Sequence, residues 1–269
     1  MQNKALVIIL VIFWGVEASQ GHAEVTFAIE TSQGIVSIVD PVSGERTFVS
    51  SIGGGNGIAS ATHDPFTDTT YVIAGNNLMT LNRFEGSLAL IGALDRPNMR
   101  AVAFDHSTRR LWGATSQQLL LFDETDGSST VVGDFGLIAT DLSFDPTSDV
   151  LYGVSNISNS LFTVDTSTGA ATLSDQTIGF EGATALTIDS MGNAFGTDLG
   201  PSLGFTQYLS IDTDTGIANP IGDRIQSELY TAVFSASASP SAIPEPAVGI
   251  VLGSFLCIGV MRRGQRVAR

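Results

Sequence analysis

Cysteine is all but missing from this chain of 269 residues. The one copy, Cys257, lies in an apolar run near the C terminus, so the body of the chain closes no disulfide and a core must hold it together. Lysine is as scarce, with Lys4 its one copy. Between Glu24 and Met261 the basic residues are seven arginines, against 26 acids (every acid but Glu17), a balance of −19. That charge argues against nucleic acid and anionic membrane surfaces as partners, because both are repelled, and an acidic surface favours solubility.

The residues that usually carry catalysis are thin as well. Past residue 23 there are two histidines, His63 and His106, which sit in comparable turn regions of neighbouring sequence units and read as surface turn residues. There is no Gly-x-Ser-x-Gly nucleophile elbow. The glycine-rich Gly53-Gly54-Gly55-Asn56-Gly57 lacks the lysine and following helix of a phosphate-binding loop, and reads as a connection between strands. Two acidic stretches, Asp123 to Gly127 and Asp212 to Gly216, begin like calcium loops, which makes Asp123, Asp126, Asp212 and Asp214 weak candidate ligands. Neither stretch has a downstream bidentate Glu, and the same turn elsewhere in the chain has fewer acids, so the shared element is the turn. The expectation is no catalytic residue, no metal and no cofactor.

What is present is a repeat. An Asp or Asn followed four positions later by Gly recurs at Asp40, Asn82, Asp123, Asp165 and Asp212, a period of about 42 residues. An aliphatic-Gly pair follows each, at Ile52-Gly53, Ile91-Gly92, Val132-Gly133, Ile178-Gly179 and Ile221-Gly222. An Asp turn closes a β-branched run at Asp64, Asp105, Asp145 and Asp189, degenerating to Phe234-Ser235 in the fifth unit. An aromatic comes soon after each turn and once before the first: Phe27, Tyr71, Trp112, Tyr152 and Phe195.

Each unit divides into four short runs of strand character. In the fourth they are Val150 to Val154, Ser160 to Val164, Ala170 to Leu173 and Ala183 to Ile188, with Asp165 to Gly169 as the hairpin between the second and third. Four antiparallel strands in about 42 residues is the size of a propeller blade. The expected fold is all-β, a β-propeller of five four-stranded blades over 24–238, in phase with the chain and closing without exchange of a strand between termini. The recurring aromatics are expected to pack between blades rather than to form a carbohydrate-stacking ring.

Both ends differ from this body. Residues 1–23 have one cation, Lys4, an apolar run from Ala5 to Trp14, and small residues before Ala23, which reads as a secretory signal peptide cleaved after Ala23, with Ala18 the alternative. At the other end a Ser/Ala/Pro linker (239–246) finishes in Pro244-Glu245-Pro246, an apolar segment follows (247–261), and a basic tail (262–269) opens with Arg262 and Arg263. The three-part order resembles the PEP-CTERM sorting signal of Gram-negative bacteria. The resemblance covers the last 27 or so residues and rests on the Pro-Glu-Pro triplet abutting the apolar run, with arginines at the chain end.

That resemblance implies processing near Pro244, Glu245 and Pro246 by an exosortase, a membrane-embedded cysteine protease, and a link to extracellular polysaccharide and biofilm. Segment 247–261 would cross the inner membrane transiently as a sorting helix with its arginines held in the cytoplasm, after export through the Sec translocon. The expected product is a non-enzymatic protein at the cell surface or in the medium that binds extracellular polysaccharide or a matrix protein, or serves as a structural spacer. The alternative is a propeller enzyme, a calcium-dependent hydrolase of lactonase or lyase type.

Overall fold

The computed structural model describes residues 24–30, 33–53, 57–180, 182–199, 205–226 and 230–238. The leader with Ala23, the Pro-Glu-Pro linker, the apolar segment and the arginine tail lie outside the described residues.

Among the described residues the chain forms twenty strands. In chain order they are β1 (Glu24–Glu30), β2 (Ile35–Val39) and β3 (Arg46–Ser51); then β4 (Ile58–Asp64), β5 (Thr69–Ala74), β6 (Asn77–Asn82) and β7 (Ser87–Ala93). Next come β8 (Met99–Asp105), β9 (Arg110–Thr115), β10 (Gln118–Phe122) and β11 (Ser129–Asp134), then β12 (Asp141–Asp145), β13 (Val150–Ser155), β14 (Ser160–Val164) and β15 (Ala171–Thr177). The last are β16 (Ala183–Ile188), β17 (Ala194–Asp198), β18 (Phe205–Ile211), β19 (Ala218–Gln226) and β20 (Tyr230–Ser237).

They assemble as five antiparallel four-stranded sheets. Blades 2 to 5 are the consecutive sets β4–β7, β8–β11, β12–β15 and β16–β19, and blade 1 has the order β20-β1-β2-β3. The strands β4, β8, β12, β16 and β20 touch one another in sequence and close a ring around the axis. The fold is a five-bladed β-propeller.

Two expectations are corrected. The ring closes by strand exchange between the ends, because β20, from the C terminus, is the inner strand of blade 1 and pairs along β1 from Glu24↔Ser237 to Glu30↔Tyr230. The sequence unit is therefore one strand out of phase with the blade: Ala183 to Ile188, the fourth run of the fourth unit, is the inner strand of blade 5. A circle closed by covalent bonds alone would leave β1 with an open edge at the end of the chain. Pairing β1 with β20 removes that edge and adds backbone hydrogen bonds across the seam.

The inner edges of the ring are satisfied by side chains. Hydroxyl and carboxylate oxygens of one inner strand accept amides of the next: Val102 N to Ser60 Oγ at 3.0 Å, Phe104 N to Thr62 Oγ1 at 3.1 Å, Leu186 N to Asp141 Oδ2 at 2.9 Å, Ile188 N to Ser143 Oγ at 3.0 Å and Ser235 N to Thr187 Oγ1 at 3.1 Å. A buried strand edge needs such partners, and short polar residues at alternate positions supply them.

The five aromatics occupy one register in the second strand of each blade, opposite Phe234, Thr62, Ala103, Ser143 and Thr187. They pack between blades as expected: Phe27 lies edge-on to Phe84 at 6.3 Å, and the Tyr71 hydroxyl donates to Glu124 Oε2 at 3.3 Å, each on the third-to-fourth turn of the following blade.

The glycine markers have the same origin. A Cβ on Gly92 would lie 1.7 Å from Asp126 O, one on Gly133 1.8 Å from Thr168 O, and one on Gly222 2.0 Å from Ser43 O, so each sits where the next blade's turn presses against a bulged outer strand. Two marker copies were mis-registered. Gly179 and Gly53 have nothing within 4 Å, and the corresponding contacts are made at Ser174, against Gly216, and at Ser51, against Gly86. In the fifth Asp turn the register places Ser235-Ala236, not Phe234-Ser235, opposite the other pairs.

Candidate functional site

Strand direction puts the first-to-second and third-to-fourth turns of all blades on one face, together with Glu24 and Ser237, where the described chain starts and stops pairing. The acidic turn candidates and both histidines lie on this face.

The third-to-fourth turns open on Asp40, Asn82, Asp123, Asp165 and Asp212, whose side-chain oxygens accept amides two or three residues ahead. Each ends four residues on in a glycine at positive φ, between 71° and 79°. Asp123 Oδ1 accepts from Thr125 N and Thr125 Oγ1, Asp126 Oδ1 from Ser128 N, and Asp212 Oδ1 from Asp214 N and Thr215 N. These bonds favour the ionised form and lower the pKa of Asp123 and Asp212. The carboxylates are turn caps, and the structure brings no third ligand to either pair: among the described residues no group of three or more His, Cys, Asp or Glu converges.

The first-to-second turns repeat the design around Asp64, Asp105, Asp145 and Asp189. Here the left-handed position is taken by Asp68, Arg109 and Asp149, with φ of 55°, 56° and 61°.

His63, expected as a surface turn residue, is instead buried, and it shares Asp68 with a buried arginine, Arg83. His63 is 5 % exposed, with Nδ1 3.2 Å from Thr70 Oγ1 and Nε2 3.5 Å from Asp68 Oδ1. Burial first, and then the Arg83 guanidinium, lower its pKa to about 4, so it is a neutral ring at neutral pH. Arg83, 4 % exposed, donates to Asp68 Oδ1 at 2.7 Å and to the Ser237 carbonyl at 2.9 Å, and its guanidinium lies over the Phe84 and Phe27 rings. It joins blade 2 to the end of β20 at the seam. His106, in the next blade, is half-buried against Phe104, and burial lowers its pKa too. Among the described residues its Nδ1 has no hydrogen-bond partner. The structure thus places His63 and His106 on adjacent blades of one face; among the described residues no serine hydroxyl is hydrogen-bonded to either ring, and the hydroxyl facing His63 is that of Thr70.

Sequence reasoning missed the two residues that organise the centre. One is Arg83, hidden inside a turn motif. The other is Asp141, 1 % exposed, whose carboxylate accepts from Ser60 Oγ at 2.9 Å and from Leu186 N at 2.9 Å while Ser60 Oγ accepts from Val102 N. One carboxyl group therefore links β4, β8, β12 and β16 across the axis. Desolvation holds its pKa well above the ordinary carboxylate range, against the amide and hydroxyl donors. The legible signal was an ionisable residue at an inner-strand register that Ser60, Ala101 and Ala185 fill with small side chains.

Neither a protein-family model nor any curated protein matches the chain. Among solved structures it is similar to a chain of a nidogen/laminin complex, with 12 % identity and a TM-score of 0.56 over 81 % of this chain and 99 % of that one. It is also similar to a structural genomics protein of unknown function from Bacteroides thetaiotaomicron, with 13 % identity and a TM-score of 0.54 over 79 % of this chain and 71 % of that one. At these identities the likeness shows the propeller fold alone.

Proposed function

We propose that this protein is an exported, non-enzymatic propeller, sorted by an exosortase and serving as a binding or structural module associated with extracellular polysaccharide or a matrix protein. The observation that carries the reading is the order at the chain end: Pro244-Glu245-Pro246, an apolar segment, then Arg262 and Arg263. Two features of the fold support it. Strand β1 begins at Glu24, so removal of a leader after Ala23 takes nothing from the blade. The end of β20 pairs with that same residue, and Arg83 holds its Ser237 carbonyl, so a tail leaves from a fixed point on the turn face. The non-enzymatic reading is supported by aspartates committed to capping turns.

The test is the intact mass of the protein recovered from membranes and medium of a host with and without its exosortase. Loss of the tail near Pro246 in the presence of the exosortase alone is the expected result. An unchanged C terminus in both hosts would make the segment a plain anchor and overturn the sorting reading.

A further inference from the structure

Blade 1 departs from the other blades on one face. The apolar cores lie at the junctions between neighbouring blades, and among the described residues four junctions hold ten to twelve buried apolar residues each. The junction between blades 5 and 1 holds six. The register shows why. At the third-strand position filled by Met79, Leu120, Phe162 and Leu209 in blades 2 to 5, blade 1 has Ser37. Two residues before Phe48 on the outer strand it carries Arg46, where the others carry Leu88, Ser129, Ala171 and Ala218.

Polar side chains thus replace apolar filling on the face that meets blade 5, and an open groove of about 680 Å³ results. It is lined by Glu30, Ser37, Arg46 and Phe48 from blade 1 and by Asp223 and Ile225 from blade 5, with Glu45 at its edge. Phe48 is 59 % exposed, and it is the one aromatic at a register that Leu90, Val131, Leu173 and Pro220 occupy in the other blades.

An exposed ring beside carboxylates, a guanidinium and a hydroxyl has the chemistry to hold a pyranose. The C–H face of the sugar packs on the ring while its hydroxyls exchange hydrogen bonds with the charged groups. Glu30, Glu45 and Asp223 outnumber Arg46 in the groove, and the balance of −19 over residues 24–261 has the same sign. A sugar bearing free ammonium groups is attracted to such a groove, and a uronate is repelled. We propose that the groove between blades 5 and 1 is a glycan-binding site for a short run of hexosamine units with free amino groups. This rests on the reading of the protein as a polymer-binding module and names the polymer class.

The test is isothermal titration calorimetry of the full-length chain in detergent with the β-1,4-linked glucosamine tetramer. The N-acetylated tetramer and tetragalacturonate serve as comparison probes. The expected result is binding of the glucosamine tetramer that persists at 0.15 M salt, at least tenfold weaker in Phe48→Ala and unchanged in Phe66→Ala, a control at another exposed phenylalanine. Phe48→Leu, which installs the residue found at this register in blades 2 and 4, keeps bulk without the ring; it is expected to lose affinity as the alanine variant does, with an unchanged melting temperature. Absence of heat with the glucosamine tetramer, affinity indifferent to Phe48, loss of all binding at 0.15 M salt, or tighter binding of either comparison probe would each overturn the assignment. Tail processing is read separately by intact mass, so failure of the glycan site is distinguishable from failure of the sorting reading.

Discussion

Removing the Asp141 carboxylate should loosen the centre of the ring more than any surface substitution. Asp141→Ala takes away the acceptor of the Ser60 hydroxyl and the Leu186 amide, and also of the Leu142 amide, which contributes to the hydrogen bonding of the carboxylate. A buried donor left without an acceptor costs about 1–3 kcal/mol. Three of them amount to roughly 5 kcal/mol, and relief from burying the carboxyl offsets part, leaving a net loss of about 3 kcal/mol, a large share of the 5–15 kcal/mol typical of a domain. Asp141→Asn retains one acceptor oxygen and is expected to lose about 1–2 kcal/mol at low pH.

The pH dependence separates charge from shape. Because the folded pKa of Asp141 is raised, the native state holds this proton more tightly than the unfolded chain. Its contribution is present in full below the unfolded value near 4 and is lost as pH rises toward the folded value. The stability of the native protein relative to Asp141→Asn should therefore fall between pH 4 and pH 7. Urea denaturation across that range, with midpoints compared at unchanged slope, measures both effects. An Asp141→Ala variant within 0.5 kcal/mol of the native protein, or an Asn difference that rises with pH, would refute the central role assigned to this carboxyl.

Three further outcomes are expected. Gly133→Ala puts a Cβ 1.8 Å from the Thr168 carbonyl and should cost about 2–4 kcal/mol, whereas Gly136→Ala, with φ of 75° and nothing within 4 Å, should cost about 1 kcal/mol; denaturant midpoints compare them. His63, held at about 4 against about 6.5 unfolded, contributes stability that is present above pH 6.5 and lost as pH falls toward 4. His63→Gln should flatten that slope, worth up to about 3 kcal/mol, in melts at pH 7.5 and 4.5. A circular permutant joining Ser237 to Glu24 by a short glycine-serine linker, opened between the exposed Pro97 and Asn98, should melt cooperatively, whereas deletion of 230–237 should abolish cooperative melting by calorimetry.

The strands, their number and the blade count were legible because each rests on local signals: alternating apolar residues, an Asp that caps a turn through its own carboxylate, a glycine that the turn requires. Gly44, Gly86, Gly127, Gly169 and Gly216 stood out because turn geometry demands a left-handed residue there, and the next backbone leaves no space for a side chain at several of them. What the sequence concealed depends on contacts across the ring. The partnership of β1 with β20 has no local mark, since a repeat has the same period whichever strand begins the blade. Asp141 and Arg83 were overlooked for a related reason: their partners, Leu186 and Ser237, are 45 and 154 residues away. The markers at Gly53 and Gly179 misled because aliphatic-Gly pairs also occur in open loops, and only the approach of a neighbouring turn separates the two kinds.

The out-of-phase closure bears on how the chain reaches its final form. Under the sorting proposal strands β1 to β3 would leave the translocon first, yet the inner strand that completes their sheet follows about 200 residues later in the chain. Until it arrives, β1 has an open edge, and blade 1 lacks Val233 and Phe234, both 1 % exposed in the finished core. Closure therefore waits for β20, and only about ten residues separate Ser237 from the apolar segment that starts at Ala247. Fully extended, those residues reach about 35 Å, so under the sorting proposal the ring closes while its turn face is held near the membrane. Arg83 then acts at the place where tension from the tail would be felt, because its bond to the Ser237 carbonyl ties the end of β20 to blade 2.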